Sequence, residues 1–353
     1  TRVFFPPLCY YAHTRRHLMA GGQSWAGAES LAQTSSGYDL RPLSTGEILD
    51  RTFQLYRSRF ALFASLAALP AAVQFLSGTL QVLLTTGETV MRGMHLTVIS
   101  RPILSAVIVI IGALVYFVFY GITQAATTWA VAEIYLGRPA SGSAAWKTAT
   151  AHWIRYVLVT LRQYWSICWW LILSFVMFFA VLALVPRLGG GAVIAGGIFA
   201  FIFGLQMLAS FIYAIYAAIR VSLGIPASVI ESLGANASVR RSMALLTERK
   251  GRIFLLGLLV IAMSLIIGVV LSPLTFLAFR AHGAGRYVLQ MVQLAGTFLS
   301  RLLIGPILAI ALCLFYFDER VRHEGFDIEF LMMRAGGPPT NPVAEGTTSP
   351  EPA

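Results

Sequence analysis

The feature that most limits the fold is a set of six long apolar runs, at about 60–84, 102–132, 164–185, 192–219, 253–279 and 287–317. Each exceeds the roughly 20 residues needed to cross a hydrocarbon slab about 30 Å thick. No water is present in such a slab to satisfy backbone amides and carbonyls, so a spanning segment must be a helix or part of a closed barrel. Runs this long, without strict apolar–polar alternation, exclude barrel strands. The expected fold is therefore all-α, a polytopic membrane helical bundle with about six transmembrane helices. Pro70, Pro273 and Pro306 fall inside runs, where the missing amide predicts kinks.

Composition agrees with a bilayer as solvent. Apolar residues make up 57% of the chain and charged residues 12%, against about 25% charged in a soluble domain. A soluble chain would have to build its own exterior from that apolar excess. The net charge of +11 does not point to nucleic acid, because the basic residues fall between the apolar runs, where they fix membrane orientation. Lys147 and Lys250 are the only lysines among the 26 basic residues, a bias that fits a GC-rich bacterial genome. Cys9, Cys168 and Cys313 are far apart and form neither a metal-ligand spacing nor a disulfide framework.

The ends read differently from the middle. Residues 1–40 are expected to be a disordered N-terminal segment; within it, 1–18 either precede the true start at Met19 or form a floppy tail. Residues 336–353, rich in Pro, Gly and Thr, are expected to be a disordered C-terminal tail. The interval 41–335 is the six-helix membrane domain.

The segments between runs carry the most information. Ser44 and Glu47 form a capping box, each side chain placed to satisfy a free amide of a first helical turn. Beyond it Ile48, Thr52, Leu55 and Tyr56 share one face, opposite Asp50, Arg51 and Arg57. A second helix follows Ser143, with Trp146, Trp153 and Ile154 opposite Lys147 and Arg155; a third follows Asn236, with Val239, Met243 and Leu246 opposite Arg240 and Arg241. Each reads as an amphipathic helix lying at the headgroups and leading into a span. Arg51/Arg59, Lys147/Arg155 and Arg241/Arg249 keep one spacing, and Arg51, Lys147 and Arg241 recur at steps of 96 and 94 residues. The chain thus reads as three repeats of an amphipathic helix plus a two-span hairpin. Such units put all three basic helices on one side: twenty Lys and Arg then face one side of the membrane and five the other. That bias predicts a multi-pass protein of the bacterial cytoplasmic (inner) membrane with both termini cytoplasmic.

Candidate sites are few. Glu133, Glu231 and the pair Asp318/Glu319 fall at the inner ends of even-numbered spans. They are expected to form ion pairs with Lys147, Arg241, Arg320 or their neighbours, which lock helices together; a coupling role in transport is the alternative. Arg301 lies inside a span, about a turn from its outer end, where it can snorkel. Gln74, Gln124, Gln206 and Gln293 are expected to hydrogen-bond between helices. Ala192, Gly196, Ala200 and Gly204 place a small residue at every fourth position, a close-packing face within the fold or between protomers. No phosphate loop, nucleophile–base set or metal-spaced cluster is present, so neither catalysis nor a cofactor is expected.

Three stretches carry a family resemblance: GEILDRTFQLYRSRF (Gly46 to Phe60), ESLGANASVRRSMALLTERKGRIF (Glu231 to Phe254) and FYFDERVRHEGFDIEFL (Phe315 to Leu331). They resemble the membrane domain found in some glycerophosphoryl diester phosphodiesterases and in many stand-alone bacterial proteins, across roughly 40–333. In the fused members the resemblance implies an anchor for a separate barrel hydrolase. This chain has no His followed by Arg-Gly, as that hydrolase would need, so no phosphodiesterase activity is expected. Phe317 and Glu319 depart from the family's more usual Tyr and Leu, and the resemblance assigns those positions no function.

Two classes of function follow. One is a non-enzymatic scaffold or accessory subunit whose basic inner face meets anionic lipid headgroups, a membrane-protein partner or a second copy of the chain. The other is a small-solute transporter, for which a polar midplane site or broken helices would be expected.

Overall fold

The computed structural model describes residues 43–86, 100–184, 192–246 and 250–324; both tail segments, including Met19, lie outside them. The described residues form ten helices and no strand. In chain order these are α1 (Thr45–Ser58), α2 (Phe60–Thr86), α3 (Ser100–Tyr135), α4 (Gly142–Ala151), α5 (Trp153–Leu184), α6 (Ala192–Val221), α7 (Gly224–Ile230), α8 (Ala235–Leu245), α9 (Lys250–Arg280) and α10 (Gly283–Glu324). Six of them, α2, α3, α5, α6, α9 and α10, are long and apolar enough to cross a membrane. Their outer faces are built from apolar side chains: Phe276 is 74% exposed and Phe279 85%. Such a surface is stable only where lipid covers it. The chain is a multi-pass all-α membrane protein.

The element order is a short helix followed by two long ones, three times over, with α7 as an addition before the third unit. The capping box at the start of α1 is formed: the Ser44 hydroxyl accepts from the Glu47 amide at 3.2 Å, and the Glu47 carboxylate accepts from the Ser44 amide at 2.7 Å. Within each unit the two long helices pack as a hairpin, α2 on α3, α5 on α6 and α9 on α10. Pro70, Pro273 and Pro306 sit inside continuous helices.

The hub is α10, which packs on α9, α2, α3 and α1. Its last turns, from Ile304 to Val321, carry most of its buried side chains, and they share one core with α1, the end of α3, and α7. Close approaches between spans use glycines. A Cβ on Gly121 would lie 2.9 Å from Thr160 Oγ1, and one on Gly296 2.7 Å from a Leu271 methyl.

Three sequence-based expectations change here. The amphipathic helices do not lay their apolar faces into lipid: Ile48, Leu55 and Tyr56 of α1, and Val239 and Leu245 of α8, are buried against the bundle. The second helix breaks at His152, the C-cap of α4, so its predicted single face divides. Trp146 stacks on Phe119 at 6.4 Å, whereas Trp153 and Ile154, beyond the break, are exposed. Of the small-residue stripe, Gly204 lies outside the seam between α5 and α6. Gly204 faces open space, with no atom within 4 Å of a Cβ placed on it. The seam is instead polar and aromatic: Ser174 and Ser210 hydroxyls at 2.5 Å, Gln206 donating to Ser174 at 3.2 Å, and Phe178 stacked on Phe203 at 4.4 Å.

The glycines therefore divide by role. Gly121→Leu is expected to lower stability by about 1–3 kcal/mol through overpacking against Thr160. Gly204→Leu should change it by less than about 0.5 kcal/mol, as for an ordinary surface site. Thermal unfolding of the two variants in detergent checks the contrast.

Candidate functional site

The short helices, the ends of α3 and α10 and the start of α9 meet at one end of the bundle, and the carboxylates of the described residues gather there. Asp318 is the most confined. Its side chain is fully buried, yet it accepts from the Leu43 amide at 2.7 Å, from Arg252 at 2.9 Å and from Arg322 at 3.0 Å. The two guanidiniums also converge on the Leu43 carbonyl, each at 2.6 Å, and Arg252 bonds Thr45 Oγ1 at 2.9 Å. The residues just before α1 are thereby tied to α9 and α10 through one carboxylate. Glu319, equally buried, lies 3.3 Å from His323 and 4.0 Å from Arg252. Two acids thus face two arginines, so the buried charges balance.

A second cluster is built on Glu231, at the end of α7. Arg241 of α8 grips it through Nε at 3.1 Å and Nη2 at 2.9 Å, and the Tyr316 hydroxyl of α10 bonds the same carboxylate. Arg241 also pairs with Glu324, which accepts from Arg320 at 3.0 Å; Arg320 lies 3.7 Å from Glu231. Burial works against the Arg241 cation, but its bonds to Glu231 and Glu324 outweigh this and hold its pKa above the usual arginine range. Ser232, next in the chain, takes φ +54°, a left-handed turn, and its carbonyl accepts from Arg155 at 3.3 Å.

Of the pairings expected from sequence, Glu231 and Arg241 are brought together. Glu133 and Lys147 are not. Glu133 pairs with Arg138 at 3.5 Å across the tight turn after α3, and Lys147 is exposed with no ion pair among the described residues, since α4 turns it outward. Asp318 does not meet Arg320 either. One helical turn separates i from i+4, so Asp318 reaches Arg322, and Arg320 falls on the Glu231 side of the helix. Arg322 was legible from that spacing. The contributions of Leu43, Arg252 and Tyr316 come from segments distant in sequence, with no local signal.

The segments that interlock here are distant in sequence: Leu43 and Thr45 at the start of α1, Glu231, Arg241 and Arg252 from α7 to the first turn of α9, and Tyr316, Asp318 and Arg322 near the end of α10. The arrangement fixes helices to one another and presents no activated nucleophile. Among the described residues no group of three His, Cys, Asp or Glu is placed to hold a metal.

Farther into the bundle, α3, α5, α6, α7 and α10 border a partly open cavity of about 180 Å³. Gln124, Thr160, Gln163 and Tyr164 line it beside Ile225 and Leu308. Gln206 and Gln293 make the expected interhelical bonds, to Ser174 at 3.2 Å and Thr275 at 2.8 Å; Gln124 instead faces this cavity. Arg301 is exposed and within electrostatic reach of Tyr120 and Tyr164.

No protein-family model matches the chain, and no curated protein or solved structure is detectably similar to it.

Removing one partner of a buried charge pair leaves the others uncompensated, at a cost of about 3–5 kcal/mol. Asp318→Asn is expected to lose stability on that scale, and Lys147→Ala less than about 0.5 kcal/mol. Chemical denaturation in mixed micelles, followed by Trp fluorescence, distinguishes the two.

Proposed function

We propose that the protein is a non-enzymatic scaffold or accessory subunit of the bacterial cytoplasmic membrane, with its charged end in the cytoplasm and that end's basic face meeting anionic lipid headgroups. One observation carries this reading: four acids of that end are held in ion pairs, with Asp50 left exposed, while four of its cations point out. Asp318, Glu319, Glu231 and Glu324 are engaged in the clusters above, whereas Arg57, Arg59, Lys147 and Arg240 are exposed and have no ion pair among the described residues. Each basic residue near a leaflet of anionic lipid contributes about 1 kcal/mol of attraction. On this reading the chain is a stand-alone member of the family with the glycerophosphoryl diester phosphodiesterase membrane domain. The uncovered face at Gly204 is offered to a membrane-protein partner or a second copy.

A second reading, a small-solute transporter, is favoured by the cavity between spans, where Gln124, Thr160 and Gln163 stand on a mostly apolar wall. The two separate by experiment. In nanodiscs of mixed phosphatidylglycerol and phosphatidylcholine, native mass spectrometry should show phosphatidylglycerol enriched on the protein. Changing Arg57, Arg59, Lys147 and Arg240 together to Gln should abolish that enrichment. In liposomes the scaffold reading expects no saturable solute flux; flux that is lost on Glu231→Gln would favour the transporter.

A further inference from the structure

The cavity lies at a depth and has a chemistry that select a ligand. Thr123, on the stretch of α3 that borders it, donates to the Leu66 carbonyl of α2 at 3.3 Å. Leu66 is in the second turn of that span, about 9 Å along the helix from Phe60. The cavity therefore opens in the half of the bundle next to the charged end and extends toward the middle of the spans.

Its polar groups are unequally occupied. Gln163 donates to the Val221 carbonyl at 2.5 Å, and Thr160 donates to its own helix at Tyr156 at 2.9 Å. The Gln124 side-chain amide, by contrast, makes no hydrogen bond with any described residue, although it faces the cavity from a mostly apolar wall. It offers two donors and an acceptor. No Asp, Glu, Lys, Arg or His lines the space itself, which favours an uncharged ligand. The size, about 180 Å³, slightly exceeds the roughly 150 Å³ that takes a benzene ring; a whole lipid does not fit, but a short polar head does. The exit is toward lipid. α6 and α10 both line the cavity yet scarcely touch one another, and α9 meets α6 sparsely, with Lys250 over the Tyr216 ring at 5.3 Å.

We infer that this cavity binds the uncharged glycerol-ester head of a diacylglycerol-type lipid, with Gln124 bonded to its hydroxyl or ester carbonyl and the acyl chains leaving between α6 and α10 into the bilayer. The same hydroxyl chemistry could come from a free polyol entering from water, and the test separates the two sources.

The full chain in phosphatidylcholine nanodiscs is irradiated with a diacylglycerol carrying a diazirine near its ester, and the label is mapped by mass spectrometry. Label is expected on the segments holding Tyr120 to Thr128, Thr160 to Ile167 or Leu308 to Leu312. It should fall at least five-fold in Gln124→Leu, and equally in Ala218→Trp, which fills the space from α6. Unlabelled diacylglycerol should compete and excess glycerol should not. Label spread along the exposed face of α9, label unchanged in a folded variant, or competition by glycerol would each overturn the proposal. The competition arms need only the unaltered protein, so they decide the matter even if both variants fail to fold.

Discussion

The structure depends on a buried carboxylate that three segments share. Transfer of Asp318 out of water costs several kcal/mol, and the cost is recovered only if its lone pairs are filled with good geometry. They are filled by the Leu43 amide, Arg252 and Arg322. Because the Leu43 amide comes from before α1 while Arg252 and Arg322 belong to the last unit, the carboxylate is filled completely only when the first and last units of the chain lie side by side. Hydrophobic burial cannot impose that order here, since lipid is as apolar as a neighbouring helix. The second cluster does the same for α7, α8 and α10 through Glu231.

Inside the spans a weaker version of the same logic applies. Ser174, Ser210 and Gln206 join α5 to α6, and Gln293 joins α10 to α9, because a polar side chain in hydrocarbon finds its partner on the adjacent helix. Glycines set how close those helices come, as at Gly121 and Gly296. The charged end is thus fixed by ion pairs and the spans by small residues and hydrogen bonds. α10, which belongs to both, links the two systems.

Much of this was legible in the sequence, for physical reasons. Six apolar runs longer than a bilayer is thick admit few alternatives, and Ser44 with Glu47 marks a helix start because the capping box is local. Glu231 was rightly set against Arg241 across a short segment. The rest was out of reach because it is long-range. Nothing near Asp318 points to Leu43 or Arg252, which are distant in sequence; Arg138, five residues from Glu133, is by contrast a local partner that the choice of Lys147 overlooked. The apolar faces of the short helices could be read, but not whether lipid or protein would cover them. Gly204 of the Ala192–Gly204 stripe lies off the seam with α5, because the stripe marks a close-packing face without saying which surface it packs on.

The central claim is that the three short helices lie together on one face of the membrane, opposite the tight turn between α9 and α10. Single cysteines at Ser58, Ser143, Ser232 and His282, in a chain with Cys9, Cys168 and Cys313 replaced by serine, can be labelled in sealed vesicles of known orientation with a membrane-impermeant maleimide. The first three should react from one side and His282 only from the other. Reaction of any of the three from the same side as His282 would contradict the account.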